Sequence, residues 1–140
     1  MGSFAGPGLV VLVGVTHDDT EAVAVALANK IYDLRIFEQR HAHLAGAALP
    51  DGAGREISAA DLGLPVLLIS QFTLFADTRK GRRPTWDAAA PRAVAEPLVE
   101  AVGRQFKARG AALSTGVFGA DMKVGLVNDG PMTITLDTAA

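Results

Sequence analysis

Ser70-Gln71-Phe72-Thr73-Leu74 ends a long apolar run on hydroxyl and amide side chains. Polar groups at the carboxyl end of a buried strand are where α/β folds commonly meet their ligands, although Ser and Thr are also ordinary strand-end residues. Thr73 would act as a nucleophile only with a base to take its proton, and the sequence points to no His, Lys or Asp for that task. Backbone N–H groups at this strand end are better candidates, as donors to a developing oxyanion. Asn128-Asp129-Gly130-Pro131-Met132-Thr133 reads either as a hairpin turn or as something sharper. X-Pro bonds alone adopt the cis form cheaply, and a cis Gly130-Pro131 would aim backbone carbonyls at a ligand in a fixed direction.

Two other groups of residues carry chemical potential. His41-Ala42-His43, if extended, would place two imidazoles on one face of a strand as a metal pair requires. No third ligand accompanies them, so no metal is expected, and His17 reads as a turn residue before a helix. Arg79-Lys80-Gly81-Arg82-Arg83 concentrates four of the 13 basic residues. Outside it stand 9 positive against 15 negative charges, so a basic loop sits on a body of net charge −6. Phosphate contact and a merely solvated loop are both compatible with that pattern.

Whole-chain features bound the setting. With 140 residues, a net charge of −2 and no cysteine, one domain over residues 1–140 is expected, without disulfides or thiolate chemistry and in the cytoplasm. The longest apolar stretch, residues 9–15, is far below the roughly 18 residues that cross a bilayer, so no membrane partner is expected. Gly-x-Ser-x-Gly, the phosphate-binding Gly-x-x-x-x-Gly-Lys-Ser/Thr loop and Gly-x-Gly-x-x-Gly after the first strand are all absent.

The elements that must position these residues follow from periodicity. Residues 9–15 are a β-branched run suited to a strand buried on both faces. Asp18-Asp19-Thr20 offers caps for a helix whose stripe is Val23, Leu27 and Ile31 and whose end falls near Tyr32 or Asp33. An extended piece covers residues 34–37, and residues 45–63 read mostly as loop. Residues 65–74 form the second strong strand, which makes a right-handed βαβ unit. A second helix lies between Pro91 and Arg109 with Gly110 ending it; either it starts near Glu96, with Pro97 in its first turn, or it kinks. Three short strands close the chain over residues 113–118, 122–127 and 132–137, the last two as a hairpin. The fold class is α/β, βαβα followed by three strands.

Together, the Ser70–Leu74 and Asn128–Thr133 segments resemble the two signature motifs of the D-aminoacyl-tRNA deacylase family. The likeness extends to residues 6–15, 76–84 and 118–122, nearly the whole chain in the right order. Met132 stands where the family usually has Val. The family chain normally opens about two short strands earlier, on the order of 20 residues, so the resemblance implies a sheet whose N-terminal strands are missing here. It further implies two sheets with helices layered between them, and a homodimer with the active site at the subunit interface.

The implied activity is hydrolysis of the ester of D-aminoacyl-tRNA and of glycine misattached to alanine tRNA, without a cofactor. Gly130 and Pro131 would exclude L side chains, and Ser70, Gln71, Phe72 and Thr73 would surround the ester. Phe118, Gly119, Ala120 and Met122 would line the adenosine site, while Arg79, Lys80, Arg82 and Arg83 would meet tRNA phosphates. The terminal ribose 2′-hydroxyl would help activate water. Two other classes stand beside this one: a non-catalytic RNA- or nucleotide-binding module, and a Ser/Thr hydrolase of small esters.

Overall fold

The structure, a computed structural model, describes residues 2–130 and 132–139. In chain order the elements are β1 (Leu9–Val13), α1 (Glu21–Asp33), β2 (Arg35–Phe37), α2 (Gln39–Ala45), β3 (Ile57–Ser58), α3 (Ala59–Leu62), β4 (Val66–Ser70), a 3-10 turn (Phe72–Phe75), α4 (Arg92–Ala108) and β5 (Leu113–Thr115). The larger sheet has the order β1-β4-β5 with both pairings parallel, and β2 and β3 form a small antiparallel sheet. The α/β class with helices and two sheets is therefore observed. Both parallel crossovers step in the same direction along the sheet, so right-handed connections place α1 and α4 on one face, where they pack together.

α1 starts where its sequence signals it: the Thr20 hydroxyl accepts from the Val23 N–H, and Glu21 sits in the first turn. α4 is continuous from Arg92 to Ala108 with Pro97 inside it, so it does not start near Glu96. Pro97 has no N–H to give the Ala93 carbonyl, a loss offset by the helix's burial of Ala101, Val102 and Phe106. Gly103 lets this helix approach the sheet, since a Cβ there would lie 3.1 Å from Leu113 and 3.4 Å from Leu68. Gly110, at φ +94°, follows the helix end as expected.

Four expectations need correction. β1 is not buried on both faces: Val11 and Val13 join the helix-side core, while Val10 and Leu12 face a cleft and Leu12 is 46% exposed. The second strand stops at Ser70, because its partner β1 ends at Val13 and residues 72–75 coil into the 3-10 turn. His41 and His43 lie on α2, not on a strand, and two residues along a helix point to different sides. His41 is accordingly buried and His43 exposed. Within residues 45–63, β3 and α3 also interrupt the expected loop.

Of the three closing strands only the first forms. Residues 122–127 and 132–137 make no ladder among the described residues, so the hairpin is not observed. Their alternating apolar residues, including Val124, Leu126 and Ile134, instead line the cleft that also exposes Val10, Leu12 and Leu67. That cleft measures about 2130 Å³. Alternation alone specifies a face, whereas a strand also needs a neighbour to pair with its backbone.

Candidate functional site

All three strands of the larger sheet run in the same direction, with Val13 beside Ser70 and Leu68 beside Thr115. Their carboxyl ends therefore deliver residues 14–17, 71–75 and 116–120 to one edge, the place where parallel sheets bind ligands. At the centre, the Gln71 N–H donates to the Val13 carbonyl at 2.7 Å, the last bond before the chain turns. The 3-10 turn is closed by the Leu74 N–H to the Gln71 carbonyl at 3.2 Å and the Ala76 N–H to the Thr73 carbonyl at 3.1 Å. The Phe72 and Thr73 N–H groups open this turn, and neither has an acceptor among the described residues. Two adjacent, unengaged N–H groups at a strand's carboxyl end can hold an oxyanion. The Thr73 hydroxyl accepts from the Gln71 side-chain amide and hydrogen-bonds to no acid or base among the described residues, so it lacks there what a nucleophile needs.

Gly14 makes room for this turn. A Cβ at that position would lie 3.0 Å from Phe75, 3.1 Å from the Gln71 carbonyl and 3.2 Å from Leu74. Phe72 projects outward, 56% exposed, with its ring edge-on to Trp86 at 5.1 Å. Trp86 arrives there because residues 85–90 are tied back to the end of β1. The Thr16 hydroxyl donates to the Ala88 carbonyl, His17 Nε2 donates to the Asp87 carbonyl, each at 2.6 Å, and the Ala90 N–H donates to the Val15 carbonyl at 2.9 Å.

Phe118, Gly119, Ala120 and Met122 follow β5 at the same edge. Arg92, ion-paired to Glu96, lies over the Phe118 ring at 5.5 Å, and the Ala120 N–H closes a turn onto the Val117 carbonyl. Gly119 takes φ +75°, which favours glycine, and Met122 packs beside Gly116.

Beyond the 3-10 turn, Asp77 and Thr85 exchange two backbone hydrogen bonds of 2.9 Å and pinch off the basic loop. All four basic side chains of the loop stand exposed, and Arg79 alone pairs within it, meeting Asp77 through several contacts, the shortest 2.7 Å. The Arg79 guanidinium holds the Asp77 carboxyl down at about 2. A carboxyl lowered on folding contributes stability above its ordinary pKa of 3.8, and that contribution is lost as the pH falls through about 2. Arg79→Ala keeps the Arg79 backbone N–H donating to Asp77, so the Asp77 pKa should rise from about 2 toward 3.8 without reaching it in a carboxyl-carbon NMR titration, and a value left near 2 would refute the side-chain pairing.

The Asn128–Thr133 loop is drawn together by the Asn128 side chain, which accepts from the Met132 N–H at 3.0 Å and donates to the Thr133 hydroxyl at 2.9 Å. Gly130 takes φ +146°. Pro131, and with it the expected cis bond, lies outside the described residues. Within one chain no hydrogen bond among the described residues joins this loop to residues 70–73. Sequence reasoning took His41 as half of a metal pair and Asp129 as part of a turn, and missed Arg40 and the meeting of all three across some 88 positions: the Asp129 carboxylate accepts from both other side chains. No sequence signal pairs residues so far apart. No group of three or more His, Asp or Glu that could hold a metal occurs among the described residues.

Known proteins share this arrangement over almost its entire length. A family model described as D-Tyr-tRNA(Tyr) deacylase matches residues 1–137. A D-aminoacyl-tRNA deacylase of Acidothermus cellulolyticus is 56% identical over 98% of this chain and 85% of its own length, and one of Cutibacterium acnes is 54% identical over 99% and 84%. Among solved structures, one titled "c-Myc DNA Unwinding Element Binding Protein" superposes with a TM-score of 0.76 at 32% identity, covering 94% of this chain and 82% of that one. Another, of a probable eukaryotic D-amino acid tRNA deacylase, shares the fold at 13% identity with a TM-score of 0.62, covering 80% of this chain and 75% of that one. With the family model spanning both signature segments and relatives at this identity matching nearly all of this chain, the chain belongs to the D-Tyr-tRNA(Tyr) deacylase family.

Proposed function

We propose that this protein hydrolyses the ester between a D-amino acid and the terminal adenosine of tRNA. The observation that carries the chemistry is the pair of unengaged N–H groups of Phe72 and Thr73 at the carboxyl end of β4. Water adds to the ester carbonyl carbon, and the carbonyl oxygen, now negative, is received by those two donors. Collapse of this intermediate breaks the bond to the ribose oxygen, which takes up a proton and leaves as the free hydroxyl of tRNA. The ribose 2′-hydroxyl supplies the help in activating water that the protein's side chains lack. Ser70 and Gln71 hold the strand end, and Phe118, Gly119, Ala120 and Met122 receive the adenosine at the same edge.

Selectivity in this reading comes from Gly130 and Pro131. Their backbone carbonyls occupy the space an L side chain needs, so many D side chains are accepted and the achiral glycine of glycyl-tRNA(Ala) is hydrolysed as well. In this reading the working unit is a homodimer in which the Asn128–Thr133 loop serves the partner's pocket; no hydrogen bond among the described residues joins that loop to residues 70–73 of its own chain. The substrate places the activity in the cytoplasm, where charged tRNA is used.

Rates of hydrolysis of matched D- and L-aminoacyl-tRNA by the purified protein test the proposal. Preference for the D ester supports it; equal rates would point to an unselective esterase, and tRNA binding without hydrolysis to an RNA-binding module. Thr73→Val should keep the D rate within about tenfold, since a true nucleophile would lose several orders of magnitude. Lys80, Arg82 and Arg83 contact phosphates, with Arg79 holding the loop through Asp77. Replacing those three by Ala should reduce the slope of log affinity against log salt by about two to three; an unchanged slope would remove the loop from the tRNA interface.

A further inference from the structure

Among the described residues, hydrogen bonds tie the Asn128–Thr133 loop to the body of the protein through one side chain. Asp129 Oδ2 accepts from Arg40 Nη1 at 2.8 Å and from His41 Nε2 at 3.2 Å. Among the described residues these are the only hydrogen bonds from residues 128–133 to the rest of the chain, the Asn128 contacts being internal to the loop. The donors are rigidly mounted. His41 Nδ1 accepts the Glu38 N–H at 2.9 Å, which leaves the imidazole hydrogen on Nε2, facing Asp129. Its ring is buried against the edge of Phe37 at 5.5 Å, and the Arg40 guanidinium is steadied by a second contact of 3.2 Å to Glu38. Arg40 first, and His41 second, hold the Asp129 carboxyl below its ordinary range. Asp129 immediately precedes Gly130, so its placement fixes the point from which the Gly130 backbone departs.

We propose that Arg40 and His41 are positioning residues that clasp Asp129 and so set the direction in which the backbone departs at Gly130, and with it the strictness with which L-aminoacyl esters are refused. The first half stands on geometry alone; the second rests on the chirality reading of Gly130 and Pro131. Arg40 and Asp129 are about half exposed, so the clasp acts through direction more than through global stability.

Hydrogen exchange across residues 126–134, together with kcat/KM for matched D- and L-aminoacyl-tRNA, tests both halves in the full-length protein. Asp129→Ala and Arg40→Ala should each speed exchange in the loop about three- to tenfold at an unchanged urea midpoint, the range for one partly exposed charged hydrogen bond. The D/L ratio should fall by a similar factor, mainly through faster L hydrolysis, and Arg40→Lys should recover most of it. Unchanged exchange in Asp129→Ala would overturn the clasp whatever the enzyme's selectivity. Faster exchange with an unchanged D/L ratio, alongside a Gly130→Val variant that does lose selectivity, would overturn the link from clasp to selectivity and leave the chirality reading intact. If Gly130→Val keeps the full D/L ratio, the chirality reading fails and takes the selectivity half with it, while the exchange result still decides the clasp.

Discussion

Gly14→Val is expected to lower kcat/KM for D-aminoacyl-tRNA about 100-fold while leaving the protein folded. Gly14 touches no proposed substrate group; its effect runs through the 3-10 turn above it. A side chain there meets Phe75, the Gln71 carbonyl and Leu74 at 3.0 to 3.2 Å, and two of those three contacts are with backbone or a Cβ that cannot swing away. The turn must lift, and the Phe72 and Thr73 N–H groups move with it. Donors aimed at an oxyanion lose most of their value when displaced by about an ångström, whereas overpacking at a strand end costs about 1–3 kcal/mol of stability. The loss should therefore fall mainly on kcat, because residues 118–122, proposed to receive the adenosine, follow β5 and are not part of the 3-10 turn. Gly14→Ala should give an intermediate loss, and Gly14→Val with Phe75→Ala should recover part of the rate by removing the closest contact. Activity within threefold of wild type for a folded Gly14→Val would show that these N–H groups are not the oxyanion donors.

The parts of this site differ in how far the sequence disclosed them. β1 was legible as a continuous β-branched run, α1 and α4 because burial of one helix face imposes a period, and Thr20 and Gly110 mark ends by their own chemistry. Phe72-Thr73-Leu74 reads as strand by composition, yet the pairing partner runs out at Val13 and the segment coils. The donors of the proposed oxyanion site thus arise from a strand that stops, something no side-chain pattern announces. α2 escaped notice for a related reason. It has seven residues, no apolar stripe, and a capping box built from Glu38 and His41 instead of the usual Ser or Thr. Residues 122–137 show the converse: their alternation is real and gives an apolar face to the cleft, but the backbone ladder it suggested is absent among the described residues.

Phe106→Ala is expected to cost about 3–5 kcal/mol, a large share of the roughly 5–15 kcal/mol that holds a domain of this size. Phe106 is fully buried on α4, and its ring meets Tyr32 of α1 edge-on at 6.0 Å. Tyr32 is equally buried and spends its hydroxyl on the Leu64 carbonyl at 3.0 Å, just before β4 begins. The two rings therefore link both helices to the start of the strand that carries the site. The rim of this contact is polar and contributes less: Gln105 donates to Asn29 at 2.9 Å, and Arg109, paired with Asp33, lies over the Tyr32 ring at 5.7 Å. Truncating Phe106 removes the apolar contact and leaves a cavity between elements that cannot close on it, since α4 already touches Leu68 and Leu113 across Gly103. Tyr32→Phe keeps the ring and should cost only about 1–2 kcal/mol for the orphaned carbonyl. Urea unfolding should show the Phe106→Ala midpoint falling sharply with an unchanged slope. A loss below about 1.5 kcal/mol, comparable to the hydroxyl alone, would mean that the ring pair is not what fastens α1 and α4 to β4.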